Sequence, residues 1–313
     1  MPSPIKTLVL SAALVLPCLP VTAFDDAACK AVRFADVGWS DIAATTGLAS
    51  VVLDGLGYKP STVVASIPIA LDAMKNKQVD VFLGYWSPSM TPVLEPYVRA
   101  GQIQSLDTPN LVGAKYTLAV PTYLYDKGLK DFADIARFRK ELGARIHGIE
   151  PGNDGNVLIQ AMIRDDRFGL KDFELIESSE AGMLAQAQAA ARSRKAIVFL
   201  GWEPHPMNVQ LKMRYLTGGD AFFGAPGATK VHTAVSSGYL EKCPNVAKLL
   251  HNLQFTAEME SRVMEPILNK VRPQAAARSF LKKNLTVLEP WLRGVTTVDG
   301  KDGLAAVTAA LQR

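Results

Sequence analysis

Along the chain, short apolar runs alternate with stretches in which apolar residues recur every three or four positions. The pattern predicts strands at 33–38, 63–67 and 79–84, and again at 116–120, 145–150 and 196–201. Ile42, Thr45, Leu48, Ala49, Val52, Leu53 and Leu56 trace one face of a helix, with Ser40 as its expected N-cap and Gly55 and Gly57 as its stop. Further helices are expected at 68–77, 156–166 and 180–193. Such alternation reads as an α/β protein with mainly parallel sheets. From Ser236 onward the pattern is helical only, over 245–253, 257–268, 274–283 and 288–292. Two sheets of similar size, one covered by a helical tail, form the simplest arrangement.

The first residues follow a different pattern. Lys6 precedes a short apolar stretch at 8–16, and Val21-Thr22-Ala23 puts small residues before a cleavage point. That is the layout of an export signal over 1–23. Pro17 and Pro20 interrupt the stretch, whose unbroken part is too short for a hydrocarbon core of roughly 30 Å. Pro17 ahead of Cys18 is also wrong for a lipid anchor. Export changes how the cysteines read: once Cys18 is removed, Cys29 and Cys243 remain as an even pair in an oxidising compartment. A bridge between them would tie the start of the mature chain to its last third.

Composition bounds the class. With 313 residues, 48% hydrophobic and 20% charged, the chain is neither disordered, collagenous nor a coiled coil, and its length favours two lobes. The formal charge of +4, with both signs interspersed, lacks the clustered basic face of a nucleic-acid binder.

Only 8% of residues are aromatic, and the placement of the four Trp is what carries information. Trp39 follows R-F-A-D-V-G, Trp86 follows V-D-V-F-L-G-Y, and Trp202 follows A-I-V-F-L-G. Each is expected immediately beyond a strand, where open α/β sheets bind ligands. Converging indole faces attract cations, above all a quaternary ammonium, which has no N–H to donate. Sugars also stack on Trp, but their hydroxyls call for more polar groups. Asp41 either complements such a cation, accepts a bond from a ligand hydroxyl, or is an ordinary first-turn helix charge. In the segment G-I-E-P-G-N-D-G-N (148–156), backbone N–H groups and the Asn153 amide are placed to reach a polar ligand end. A plain turn with Asp154 capping the next helix accounts for the same residues.

Five segments, G-W-S-D, F-L-G-Y-W, G-A-K-Y-T-L-A, G-I-E-P-G-N-D-G-N and F-L-G-W-E-P-H-P-M, resemble the periplasmic choline-binding proteins of bacterial ABC importers. These belong to the larger group that takes glycine betaine and related quaternary amines. The resemblance implies a two-lobed type II periplasmic binding protein fold of α/β class, its hinge crossed twice and its cleft between the lobes. Lobe one would comprise 24–112 plus 212–313, and lobe two 113–211. An aromatic box is implied at Trp39, Trp86, Tyr116 and Trp202, with Asp41 and Asn153 meeting the charge and hydroxyl of choline. Tyr116 enters through the resemblance alone, and Tyr85 departs from the smaller polar residue expected there. The implied protein is a periplasmic monomer without cofactor or metal, whose partners are the importer's permease and ATPase subunits. Trp291, in the helical tail, is expected to be structural.

Two alternatives stay open. Glycine betaine is the other ligand, and Asp41 would repel its carboxylate. An exported choline-ester hydrolase is the other class, but the chain has no Gly-x-Ser-x-Gly elbow, His-Glu-x-x-His or Gly-Lys-Ser/Thr loop. His205, near the expected site, has no nucleophile placed beside it, and Glu150 and Glu203 suit hinge hydrogen bonding better than acid–base work.

Overall fold

The computed structural model describes residue 25 and residues 27–313. The expected export signal at 1–23, with Cys18, lies outside the described residues. Two separate sheets organise the rest. The first contains β1 (Ala31–Asp36), β2 (Lys59–Val64), β3 (Val81–Ser87), β4 (Ile103–Ser105), β5 (Leu111–Val112) and, from much later in the chain, a strand at Lys230–Ser236. The second contains β6 (Lys115–Pro121), β7 (Arg145–His147), β8 (Glu174–Ile176), β9 (Phe199–Glu203) and β10 (Met213–Tyr215). With the late strand Lys230–Ser236 as β11, the orders are β2-β1-β3-β11-β4, with β5 beside β11, and β10-β6-β9-β7-β8.

The sheets are mixed, not mainly parallel. β1 pairs in parallel with β2 and β3, as β7 does with β8 and β9, and the other pairings are antiparallel. The reason is connectivity. β6 and β11 each receive the chain from the other sheet, so they enter against the local strand direction. β11 has no counterpart in the periodicity reading, because K-V-H-T-A-V-S is a short run whose partners are remote in sequence.

Strand ends also move. The expected strand at 63–67 is β2 at 59–64, an exposed edge strand that needs no apolar run, and Ile67 already opens the helix Ile67–Lys75. β3 and β9 run on through Trp86 and Trp202, so these two rings lie within the last residues of their strands and only Trp39 lies beyond one. β10 pairs with β6, so the chain stays with the second sheet as far as Tyr215.

The helix Ser40–Gly55 is buried around most of its circumference, because the helices Ala257–Leu268 and Pro273–Lys283 pack on it from the outside. Beneath that layer Cys29 and Cys243 form a disulfide with Cα atoms 5.6 Å apart, within one apolar cluster with Phe34, Leu48 and Trp291. A second apolar cluster runs continuously from the first sheet into the second and contains the aromatic residues singled out above. Among the described residues, no helix is long and apolar enough to cross a membrane.

Candidate functional site

Where the two sheets meet, a small cavity is lined by Trp39, Asp41, Trp86, Tyr116, Ile149, Asn153, Asp154 and Trp202. All six residues expected at the site line this one cavity, joined by Ile149 and Asp154. The first sheet and its connections supply Trp39, Asp41 and Trp86, and the second supplies the rest.

Local structure explains each placement. Gly38, at φ +89°, turns the chain out of β1 and is held by the Asp36 carboxylate, which accepts its N–H at 2.8 Å. Trp39 then stands extended as the N-cap residue of the helix Ser40–Gly55, making no side-chain cap bond. Ser40, expected as that cap, is instead the first helical residue. Tyr116 on β6 pairs directly across from Trp202 on β9, which puts both rings on one face of the second sheet. Their centroids are 6.4 Å apart at 81°, and Tyr116 lies 5.9 Å from Trp86 at 56°.

Three of the four rings are fixed through their polar atoms. The Trp39 indole N–H donates to Glu150 Oε1 at 2.7 Å, the Trp86 indole to Asp41 Oδ2 at 3.2 Å, and the Tyr116 hydroxyl to Asn153 Oδ1 at 3.1 Å. Asn153 is the N-cap of the helix Asp154–Arg164, accepting the Asn156 N–H, and its amide donates to Asp154 Oδ1 at 3.1 Å. Asp154, considered as that cap, is instead the helix's first residue. Gly155 follows because a Cβ there would lie 2.1 Å from the Tyr116 hydroxyl.

The wall is acidic. Burial, reinforced by nearby Glu180, raises Asp41 to about 8 against the pull of its own helix N–H groups and the Trp86 indole. Burial raises Glu150 to about 7 and Asp154 to about 6, the latter opposed by the Ser89 hydroxyl. Asp41 Oδ1 finds no hydrogen-bond partner among the described residues. Neither Lys nor Arg lines the cavity.

Other residues considered at the sequence level fall outside it. Trp291 is buried in the helical layer, its indole donating to the Gln254 carbonyl at 3.0 Å and its ring meeting Phe255. Tyr85 turns away to share a hydroxyl contact of 2.9 Å with Thr91. Glu203 pairs with Lys115 at 3.4 Å. His205 is completely buried behind Trp202 and bonds Glu180, the first residue of the helix Glu180–Ser193, which the spacing predicts as a helix without marking this acid.

Residues 30–283 match the OpuAC family, described as the substrate binding domain of ABC-type glycine betaine transport systems. The structure of an ABC-transporter choline binding protein in complex with choline is 51% identical, with TM-score 0.89, covering 92% of this chain and 100% of that one. The unliganded, semi-closed form of an ABC-transporter choline binding protein, also 51% identical, superimposes less well, with TM-score 0.82 over 91% of this chain and 100% of that one. The glycine betaine/carnitine transport binding protein of Listeria monocytogenes is 32% identical over 168 residues, 52% of this chain and 55% of that protein.

Proposed function

We propose, from the premise that the chain belongs to the OpuAC family of substrate-binding domains, that this substrate-binding protein of a glycine betaine/choline ABC importer takes choline as its principal ligand. The observation that carries this is the cavity wall: four aromatic rings and two carboxylates, with neither Lys nor Arg. The trimethylammonium group packs among Trp39, Trp86, Tyr116 and Trp202, each face contributing roughly 0.5–2 kcal/mol when desolvated. The choline hydroxyl donates to Asp41 Oδ1 and accepts the amide hydrogen of Asn153 that Asp154 does not take.

Glycine betaine, the ligand in the family's description, carries a carboxylate that would enter beside Asp154, ionised above about pH 6, and would hold Asp41 in its protonated form. Like-charge contacts in such a site cost several kcal/mol. The lobes are built on the two sheets, residues 24–112 and the C-terminal segment forming one, and they close on the ligand by rotation about the two connecting passages. Residues 1–23 direct export, so the mature protein works as a periplasmic monomer that delivers choline to the permease, which the ATPase subunits power. Its work is binding alone, without turnover of choline esters.

Calorimetric titration with choline, glycine betaine and acetylcholine tests the reading. Choline should bind at least about tenfold tighter than betaine, given the like-charge cost. Betaine binding as tightly or tighter overturns it, and appearance of free choline from acetylcholine would restore the hydrolase.

A further inference from the structure

The helix Ser40–Gly55 carries Trp39 and Asp41 at its start, yet its N-cap residue makes no side-chain bond to it. The first N–H groups of a helix require acceptors, and the Trp39 indole, a donor only, has none to offer and gives its N–H to Glu150. The Ser40 N–H finds its acceptor on the other side of the cleft, at Glu180 Oε2, 2.7 Å away and 140 residues on. Glu180 opens the helix Glu180–Ser193, which belongs to the second sheet's half of the molecule. Its other oxygen lies 3.1 Å from His205 Nε2. His205 Nδ1 accepts the Met207 N–H at 2.9 Å, which assigns the ring proton to Nε2. The same imidazole lies edge-on against Trp202, with centroids 4.9 Å apart.

We propose that Glu180 is the closure residue of this binding protein, a positioning residue that caps the Ser40–Gly55 helix from the opposite lobe. The inference rests on the two-lobed, choline-binding reading above. When the lobes part, the Ser40 N–H and the Glu180 carboxylate return to water. When they meet, one bond seats the helix end, and the Trp39 ring and Asp41 carboxylate arrive with it. His205 holds Glu180 in the accepting orientation and braces Trp202 from behind.

Both partners of Glu180 are donors, so the position needs a group that only accepts. A glutamine satisfies one of them and turns an NH₂ against the other in either amide orientation. The cost falls on the closed form, and so on release of ligand more than on its capture.

The test is stopped-flow choline binding, read by tryptophan fluorescence, with thermal melting of each unliganded variant. Glu180→Gln removes the acceptor pair. Ser40→Pro removes the donor, because proline lacks the N–H, is tolerated at the first helical position, and requires the extended backbone that Trp39 already has at φ −95°, ψ 141°. Ser40→Ala is its reference: it keeps the N–H and loses only the hydroxyl that meets Met264 Sδ at 3.4 Å. Release should quicken at least about tenfold in Glu180→Gln against wild type and in Ser40→Pro against Ser40→Ala, with association rates changing far less. The double variant should lose less than the product of the two effects, since both remove one bond. If Glu180→Gln does not fold, the Ser40 pair carries the test alone. Unchanged release in folded variants, or slower association with unchanged release, overturns the closure role while leaving the ligand reading intact. A wild-type protein that does not bind choline overturns both.

Discussion

At the residue scale, the polar atoms of the box matter as much as its faces. Trp86 and Tyr116 are tied within their own lobes, to Asp41 and Asn153, so these two rings are ordered before any ligand arrives and lose little side-chain entropy on binding, while Trp39 finds its Glu150 partner only across the closed cleft. Trp202→Ala should weaken choline binding by at least about tenfold, removing a desolvated face worth about 2 kcal/mol. Trp291→Ala should leave choline affinity unchanged but lower the melting temperature, because a fully buried indole leaves a cavity costing about 3–5 kcal/mol. Calorimetry and thermal melting on the two variants separate these outcomes.

The raised carboxyls add a pH dependence whose sign is definite. Asp41 at about 8, Glu150 at about 7 and Asp154 at about 6 all stand above the value near 4 of an unfolded chain. Folding thus retains protons on these groups. Their contribution to stability is full below about pH 4 and is lost as pH rises through 6 to 8. A bound cation favours the ionised forms, so choline affinity should rise between pH 6 and 8 and binding should release protons. Titration in two buffers of different ionisation heat measures that release. A melting series of the free protein should show the opposite trend, falling over the same range.

At the scale of elements, the site depends on two junctions where backbones approach closely. The antiparallel register of β6 and β9 sets Tyr116 opposite Trp202, and the start of the helix Asp154–Arg164 passes so near Tyr116 that only glycine fits at position 155. Gly155→Ala should push the Tyr116 hydroxyl away from Asn153 and weaken choline binding. The melting temperature should fall modestly, because displacing a buried, hydrogen-bonded tyrosine outweighs alanine's better helix propensity of about 1 kcal/mol. Calorimetry beside a thermal melt checks both halves. Much of this level was legible along the chain. The repeated V-F-L-G ahead of Trp86 and Trp202 marks two strands used alike, and the helices at 180–193 and 257–268 follow directly from spacing. β11 was not legible, because its identity as a central strand depends on partners at 81–87 and 103–105.

Across the whole molecule, the cleft lies between sheets while the disulfide lies behind the first of them, and the two are energetically separable. Cys29–Cys243 encloses 214 positions of sequence, a separation for which the chain-entropy model gives a stabilisation of about 5 kcal/mol. Reduction, or paired replacement by alanine, should lower the melting temperature markedly while leaving choline affinity unchanged wherever the protein is folded. Closure, by contrast, should respond to Glu180 and Ser40 and not to the bridge.

From the sequence alone came the α/β class, the even cysteine pair, and a set of tryptophans and acids whose chemistry suits an organic cation. Those are properties of residue type and of short-range spacing, which local sterics and the burial of apolar faces dictate. Only the tertiary structure decided which groups face each other: Trp39 with Glu150, Ser40 with Glu180, Tyr116 with Trp202 and Gly155. These pairs are separated by up to 140 positions, beyond the reach of any periodicity. Burial decided the rest, since an acid at position 41 acquires its raised pKa from the elements that close around it.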